Sequence, residues 1–136
     1  MSAKRARAFF DTNVLLYLLS ADADKAQRAE ALLADGGVIS VQVLNEFASV
    51  ASRKLRMTIL DIHECLDPIR EICGVEPVTV ETHLRGLDLA HRYGFSVYDS
   101  MIVAAALLAG CEILYSEDWQ DRQRIDGLLI SNPFVR

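Results

Sequence analysis

Apolar positions recur in short blocks of two kinds. Some are brief runs that stop at turn residues. Others are longer stretches with apolar residues three and four apart. Ala8-Phe9-Phe10 ends at Asp11-Thr12-Asn13, the pattern of a short strand entering a turn. Val14 to Leu19 continues as a helix. Asp24 to Ala34 repeats Ala26, Ala29 and Leu33 at helical spacing, and Gly36-Gly37 ends it. Val38-Ile39-Ser40 reads as a second strand. Val41 to Leu55 returns to helix, with Leu44, Phe47, Ala48, Ala51 and Leu55 on one stripe. Thr58 to Ile72 is helical, with Pro68 marking a kink or break. Val75 to Val80 is predicted as a third strand, and Pro77 places it at a sheet edge. Glu81 to Arg92 is a helix stopped by Gly94.

Tyr98 to Ala109 has almost no polar face, which predicts a buried helix capped by Gly110. Glu112 to Ser116 makes a strand, and Leu128-Leu129-Ile130 after Asp126-Gly127 makes another. Strands alternating with helices predict an α/β fold, with a largely parallel sheet of about five strands and helices on both faces.

A length of 136 residues fits one domain spanning 1–136, and a hydrophobic content of 51% supplies a core. No uninterrupted apolar run is long enough for a transmembrane helix, so no membrane association is expected. The N-terminus is basic, but the apolar stretch before Asp11 is too short for a signal peptide. Cys65, Cys73 and Cys111 form no CxxC pair, which argues against a disulfide scaffold or a cysteine zinc site and for a reduced, cytoplasmic protein. The net charge of −5 argues against a general nucleic-acid coat protein. A metal ion held by clustered carboxylates would reverse that local charge.

Ligands collect at the carboxyl ends of strands in an open parallel sheet. Asp11 follows the first strand, Asp118 follows the Ile113–Ser116 run, and Asp99 opens the apolar helix. Glu46 lies opposite the apolar stripe of its own helix, facing solvent or a cleft. Hard divalent ions such as Mg²⁺ and Mn²⁺ take such oxygen ligands. A bound ion lowers the pKa of water and stabilises charge on a phosphoryl oxygen. Each acid also has a structural reading. Asp11 fits a turn residue or helix N-cap and Asp99 a helix cap. Glu46 and Asp118 fit solvated surface acids, and Glu117 and Asp121 compete with Asp118.

Four segments carry a family resemblance. They are Phe10-Asp11-Thr12-Asn13-Val14-Leu15, Ser40 to Phe47, Tyr98 to Ala106, and Leu114 to Asp121. Asn132-Pro133-Phe134 adds to them. In this order and spacing the chain resembles PIN-domain ribonucleases and, within them, the VapC-type toxins of toxin–antitoxin pairs. The resemblance implies a PIN-like α/β/α domain and an endoribonuclease dependent on Mg²⁺ or Mn²⁺. It implies Asp11, Glu46, Asp99 and Asp118 as the acidic metal-binding and catalytic site. Asn13 and Ser116 match the polar positions that orient ligands, and Asp121 is a further acid at the same mouth. Relatives with this ending often carry Gly where this chain has Arg122, which bears on the shape of that loop.

The expected reaction is in-line attack of water on a backbone phosphate, leaving 3′-hydroxyl and 5′-phosphate ends. His63, His83 and His91 fall on surface helices and take no part. Arg53, Lys54 and Arg56 end the Glu46 helix, and Arg122 and Arg124 follow Asp118. Either group can contact RNA phosphates or simply be a solvated basic face. The resemblance implies a cognate antitoxin and a homodimer. Leu15, Leu16, Leu18 and Leu19 are read as surplus apolar surface that a dimer would cover. A haloacid-dehalogenase-type phosphatase wants a second Asp where Asn13 stands. A receiver domain wants a late Lys, and none follows Lys54. The alternative from another class is a non-catalytic PIN-like module that binds RNA or protein.

Overall fold

The computed structural model describes residues 7–119 and 121–134. The basic stretch before Arg7 lies outside the described residues, whereas the short apolar stretch before Asp11 is described and forms the first strand. In chain order come β1 (Ala8–Phe10), α1 (Thr12–Leu16), α2 (Ala23–Ala34), β2 (Gly37–Ser40), α3 (Val41–Arg53) and α4 (Ile59–Ile72). Then follow β3 (Cys73–Glu76), α5 (Val80–Tyr93), α6 (Val97–Leu108), β4 (Ile113–Tyr115), β5 (Arg124–Ile125) and β6 (Leu128–Ser131). The sheet order is β3-β2-β1-β4-β6-β5. All pairings are parallel except β5 with β6. The chain builds β2 and β3 on one side of β1, then returns to lay β4 on the other. The order therefore reverses at β1, where open α/β sheets place their ligands.

Local chemistry explains where the helices start. Asp22, Ser40, Thr58, Thr79 and Ser96 each accept a backbone N–H at the first turn of α2 to α6 in sequence. Such caps satisfy donors that the helix itself leaves unpaired. Phe9, Phe10, Val38 and Ile39 are all buried. Consecutive strand residues point to opposite faces, so both sides of the sheet centre are covered. α1 to α4 pack among themselves and α5 packs on α6, giving two helical groups. Ser100 to Ala106 are buried without exception, as the apolar pattern of α6 predicts. Gly86 lets α5 approach closely: a Cβ there would stand 2.4 Å from Met101 Sδ and 3.3 Å from its Cα.

Five expectations change. The third strand is Cys73–Glu76 rather than Val75–Val80. Thr79 and Thr82 form a capping box that starts α5 at Val80, and this takes Val78 and Val80 out of the sheet. The sheet has six strands among the described residues rather than about five. The added strand, β5, pairs with β6 through Asp126-Gly127, whose φ values of 48° and 88° make a two-residue hairpin turn. α4 continues through Pro68 without a break. The first helix ends at Leu16 and tightens into a 3₁₀ turn over Tyr17–Leu19. There Leu15 is buried, and Leu16 and Leu18 pack on the protein's own core. Leu19 alone of the four is exposed, at 36%, so the other three are not the surplus surface expected of them. Further exposed apolar side chains lie at Leu55, Ile59 and Leu60, and at Val80, Leu84 and Leu87 along α5.

The departure at Arg122 has a conformational counterpart. Arg122 adopts φ 67°, the left-handed region, while its N–H donates to the Ile130 carbonyl oxygen at 2.7 Å. A side chain in that region costs about 1–2 kcal/mol, and glycine escapes the cost. Arg122→Gly is expected to raise stability by roughly 0.5–1 kcal/mol, net of glycine's greater freedom when unfolded. Urea denaturation measures this, and an unchanged or lower midpoint would contradict it.

Candidate active site

The reversal of strand order puts the ends of β1 and β4 side by side. Phe10 pairs with Tyr115, and the ladder extends one step as Asp11 N–H donates to the Tyr115 carbonyl oxygen at 3.0 Å. Asp11 therefore sits at the mouth of the sheet centre, yet only 4% exposed. Its Oδ1 accepts from Thr12 N at 2.7 Å, and its Oδ2 accepts the Ser116 hydroxyl at 2.6 Å. The bond to Thr12 also caps α1, so the N-cap reading of Asp11 holds.

The other acids arrive from three further elements. Glu46 projects from the middle of α3, where its Oε1 accepts the Thr12 hydroxyl at 2.8 Å. Asp99 lies in the first turn of α6, behind the Ser96 cap. Asp118 follows β4, and its Oδ2 accepts from Asn13 Nδ2 at 2.6 Å. The Ser116 hydroxyl also accepts from Asp118 N at 3.2 Å, so one serine ties both loop ends together. Next to Asp118, Trp119 packs edge-on to Phe95 with ring centroids 4.3 Å apart. Asp11, Glu46, Asp99 and Asp118 line one pocket of about 340 Å³ with Thr12, Asn13, Leu16, Ser49, Val50 and Arg53.

Electrostatics follow from this crowding. Burial pushes the Asp11 carboxyl up from 3.8 to about 6, with the charges of Asp118 and Glu46 adding to it. The Ser116 and Thr12 hydrogen bonds oppose the rise. Asp118 is also raised, first by burial and then by the charges of Asp99 and Glu117, while Asn13 counteracts. The donor set fits a hard divalent cation, being carboxylate oxygen with no sulfur or imidazole in the pocket wall. Among the described residues, no three acid, His or Cys side chains stand close enough to form a ready ligand cage.

The remaining expected residues are more dispersed. Asp121 is exposed, accepts Asn132 N–H at 2.8 Å through Oδ1 and does not line the pocket. It shapes the loop before β6. Arg53 lines the pocket rim and is held by Ser49 through its Nε. Lys54, Arg122 and Arg124 are exposed and outside the pocket wall. His63, His83 and His91 are exposed on their helices, as expected. Sequence reasoning gave Thr12 no role, although it bridges toward Glu46. The available signal was its place between Asp11 and Asn13, directly after a strand.

Asp11 makes the metal-free protein pH-sensitive. The unfolded chain loses this proton near pH 4, whereas the folded chain holds it to about 6. Stability from this group is therefore complete below pH 4 and lost as pH rises through about 6. The loss is on the order of 2–3 kcal/mol. In EDTA, Asp11→Asn should melt several degrees higher than wild type at pH 7.5, and the gap should close near pH 4. Thermal melts across pH test this, and a variant less stable at pH 7.5 would contradict it.

Comparison with known proteins places the fold. No curated protein sequence matches the chain. Among solved structures, a toxin–antitoxin complex from Klebsiella pneumoniae matches at 24% identity and TM-score 0.69, over 93% of this chain and 98% of that one. DNA-bound VapBC from Salmonella typhimurium matches at 17% identity and TM-score 0.70, over 95% and 99%. VapC20 from Mycobacterium tuberculosis, described as a sarcin–ricin loop cleaving toxin, matches at 21% and 0.65, over 80% and 88%. These likenesses show the fold. The family model of the PIN domain matches residues 8–128, a span that includes all four acids. The chain belongs to the PIN domain family.

Proposed function

We propose that this chain is an endoribonuclease dependent on Mg²⁺ or Mn²⁺, and the toxin of a toxin–antitoxin pair. The observation that carries the reading is the meeting of Asp11, Glu46, Asp99 and Asp118 in one pocket, where the strand order reverses. Asp11, Asp99 and Asp118 would hold the ion, with Glu46 beside them. When bound, the ion polarises a phosphoryl oxygen and makes water more acidic.

The chain's own groups do the rest. Ser116 and the Thr12 N–H fix both oxygens of Asp11, and Asn13 fixes Asp118. Thr12 holds Glu46 by one oxygen, and we assign Glu46 as acceptor of the attacking water's proton. No histidine lines the pocket, so a carboxylate must take that part. Arg53 at the rim meets an RNA phosphate, with Lys54 and Arg122 as further contacts outside the pocket. Asp121 supports the site only through the loop it braces.

Partners and location follow the same reading. The Klebsiella and Salmonella neighbours are toxin–antitoxin assemblies, and VapC20 is described as a sarcin–ricin loop cleaving toxin. The exposed apolar groups on α4 and α5 support a cognate antitoxin and a homodimer. Among the described residues no helix is long and apolar enough to cross a membrane, and Cys65, Cys73 and Cys111 are free thiols. Both fit action in the cytoplasm.

The test is cleavage of a cellular RNA pool with and without Mg²⁺ or Mn²⁺, beside Asp99→Asn. Metal-dependent cuts with 5′-phosphate ends are expected, reduced roughly 100-fold or more in the variant. Products ending in 2′,3′-cyclic phosphate would overturn the mechanism. Confirmed metal binding without cuts would favour the non-catalytic PIN-like module. Light scattering at micromolar concentration should give the mass of a dimer, and a monomer would remove that proposal.

A further inference from the structure

A second groove of about 370 Å³ opens beside the acid pocket and shares Glu46 and Ser49 with it. Its other walls are Val41, Gln42 and Asn45 of α3, Val78 before α5, and Tyr98 of α6. Its size lies in the range that takes a small organic group. The two hollows lie in series along one side of α3. Gln42, Glu46, Ser49 and Arg53 fall on a single helical face, so a chain crossing it passes groove, acids and arginine in turn.

The groove is equipped differently from the pocket. Tyr98 is 71% exposed, directly before Asp99. Among the described residues its ring meets no other aromatic ring and its hydroxyl has no hydrogen-bond partner. Its backbone is nevertheless fixed, because Gln42 Nε2 donates to the Tyr98 carbonyl oxygen at 2.8 Å. Asn45 is exposed, and no group among the described residues engages its amide. An exposed flat ring on a fixed backbone, beside a free amide, matches the chemistry of an unpaired base, whose face stacks and whose edge hydrogen-bonds.

We propose that this groove holds the base of the nucleotide next to the scissile phosphate, stacked on Tyr98 and read at its edge by Asn45. The proposal rests on the endoribonuclease reading and names the part of single-stranded RNA that the site selects. Continuity argues for it. The wall shared through Glu46 and Ser49 means that a strand with its phosphate at the acids delivers the neighbouring base to Tyr98. Arg53 at the far end then meets the next phosphate. Glu46 is the one ionisable acid or base in the groove wall besides the tyrosine, so a phosphate has no attraction to the groove itself. An apolar side chain of a protein partner is the competing occupant. It would have no use for a position in line with the acids.

The experiment compares wild type, Tyr98→Ala, Tyr98→Phe and Asn45→Ala in Mg²⁺, with cleavage ends mapped and KM separated from kcat on single-stranded RNA. Tyr98→Ala should raise KM about tenfold or more while kcat changes far less. Tyr98→Phe, which keeps the ring, should recover most of that loss. Asn45→Ala should redistribute the cuts among flanking bases. Unchanged KM and unchanged sites in Tyr98→Ala would overturn the subsite and leave the groove to a protein partner. Wild type without metal-dependent cuts would instead overturn the nuclease reading. Binding of the same labelled RNA in the same buffer then decides the subsite alone. Weaker binding by Tyr98→Ala than by wild type sustains it, and equal or absent binding ends it.

Discussion

The parallel pairing of β1 with β4 is the constraint from which the site follows. It carries Asp11 to the point where the strand order reverses, and it brings Ser116 within 2.6 Å of that carboxylate. A carboxylate only 4% exposed is an unstable arrangement unless its oxygens are engaged. Here one oxygen takes a backbone N–H and the other a hydroxyl. These bonds orient the group without neutralising it. Its raised pKa records the balance that remains.

The other walls are positioned by contacts outside the chemistry. Thr12 reaches from the start of α1 to Glu46 on α3, and Asn13 reaches the loop after β4. Gln42 ties α3 to the first turn of α6, and Trp119 rests on Phe95. Asp11, Glu46 and Asp118 are thus each held by a side chain from a distant segment, and the helix that carries Asp99 is tied to α3. The pocket depends on how the layers pack more than on any single loop.

Much of this was legible in sequence, for identifiable reasons. α6 announces its burial because it lacks a polar face. Asp11, Asp99 and Asp118 stand at element ends, which the strand and helix pattern already marks, and one pocket brings them together with Glu46. Glu46 was ambiguous because periodicity gives a direction on a helix but no neighbour in space. The Val75–Val80 strand failed because alternating valines look alike in a strand and at a helix start, and Thr79-x-x-Thr82 decided between them. β5 is too short for an apolar pattern, although Asp126-Gly127 marked its turn. The groove at Tyr98 joins residues from α3, α6 and the segment between β3 and α5, a juxtaposition that no linear spacing contains.

The buried carboxylate also shapes how this protein can change over generations. Replacing Asp11 by a neutral isostere would remove a charge that burial and the charges of Asp118 and Glu46 disfavour. If the proposed activity depends on Asp11 and harms its host, selection against it would meet no electrostatic barrier to folding at this position. Inactive descendants would persist as well-ordered proteins. Their outer surfaces would be intact and still able to occupy any partner that the active form engages.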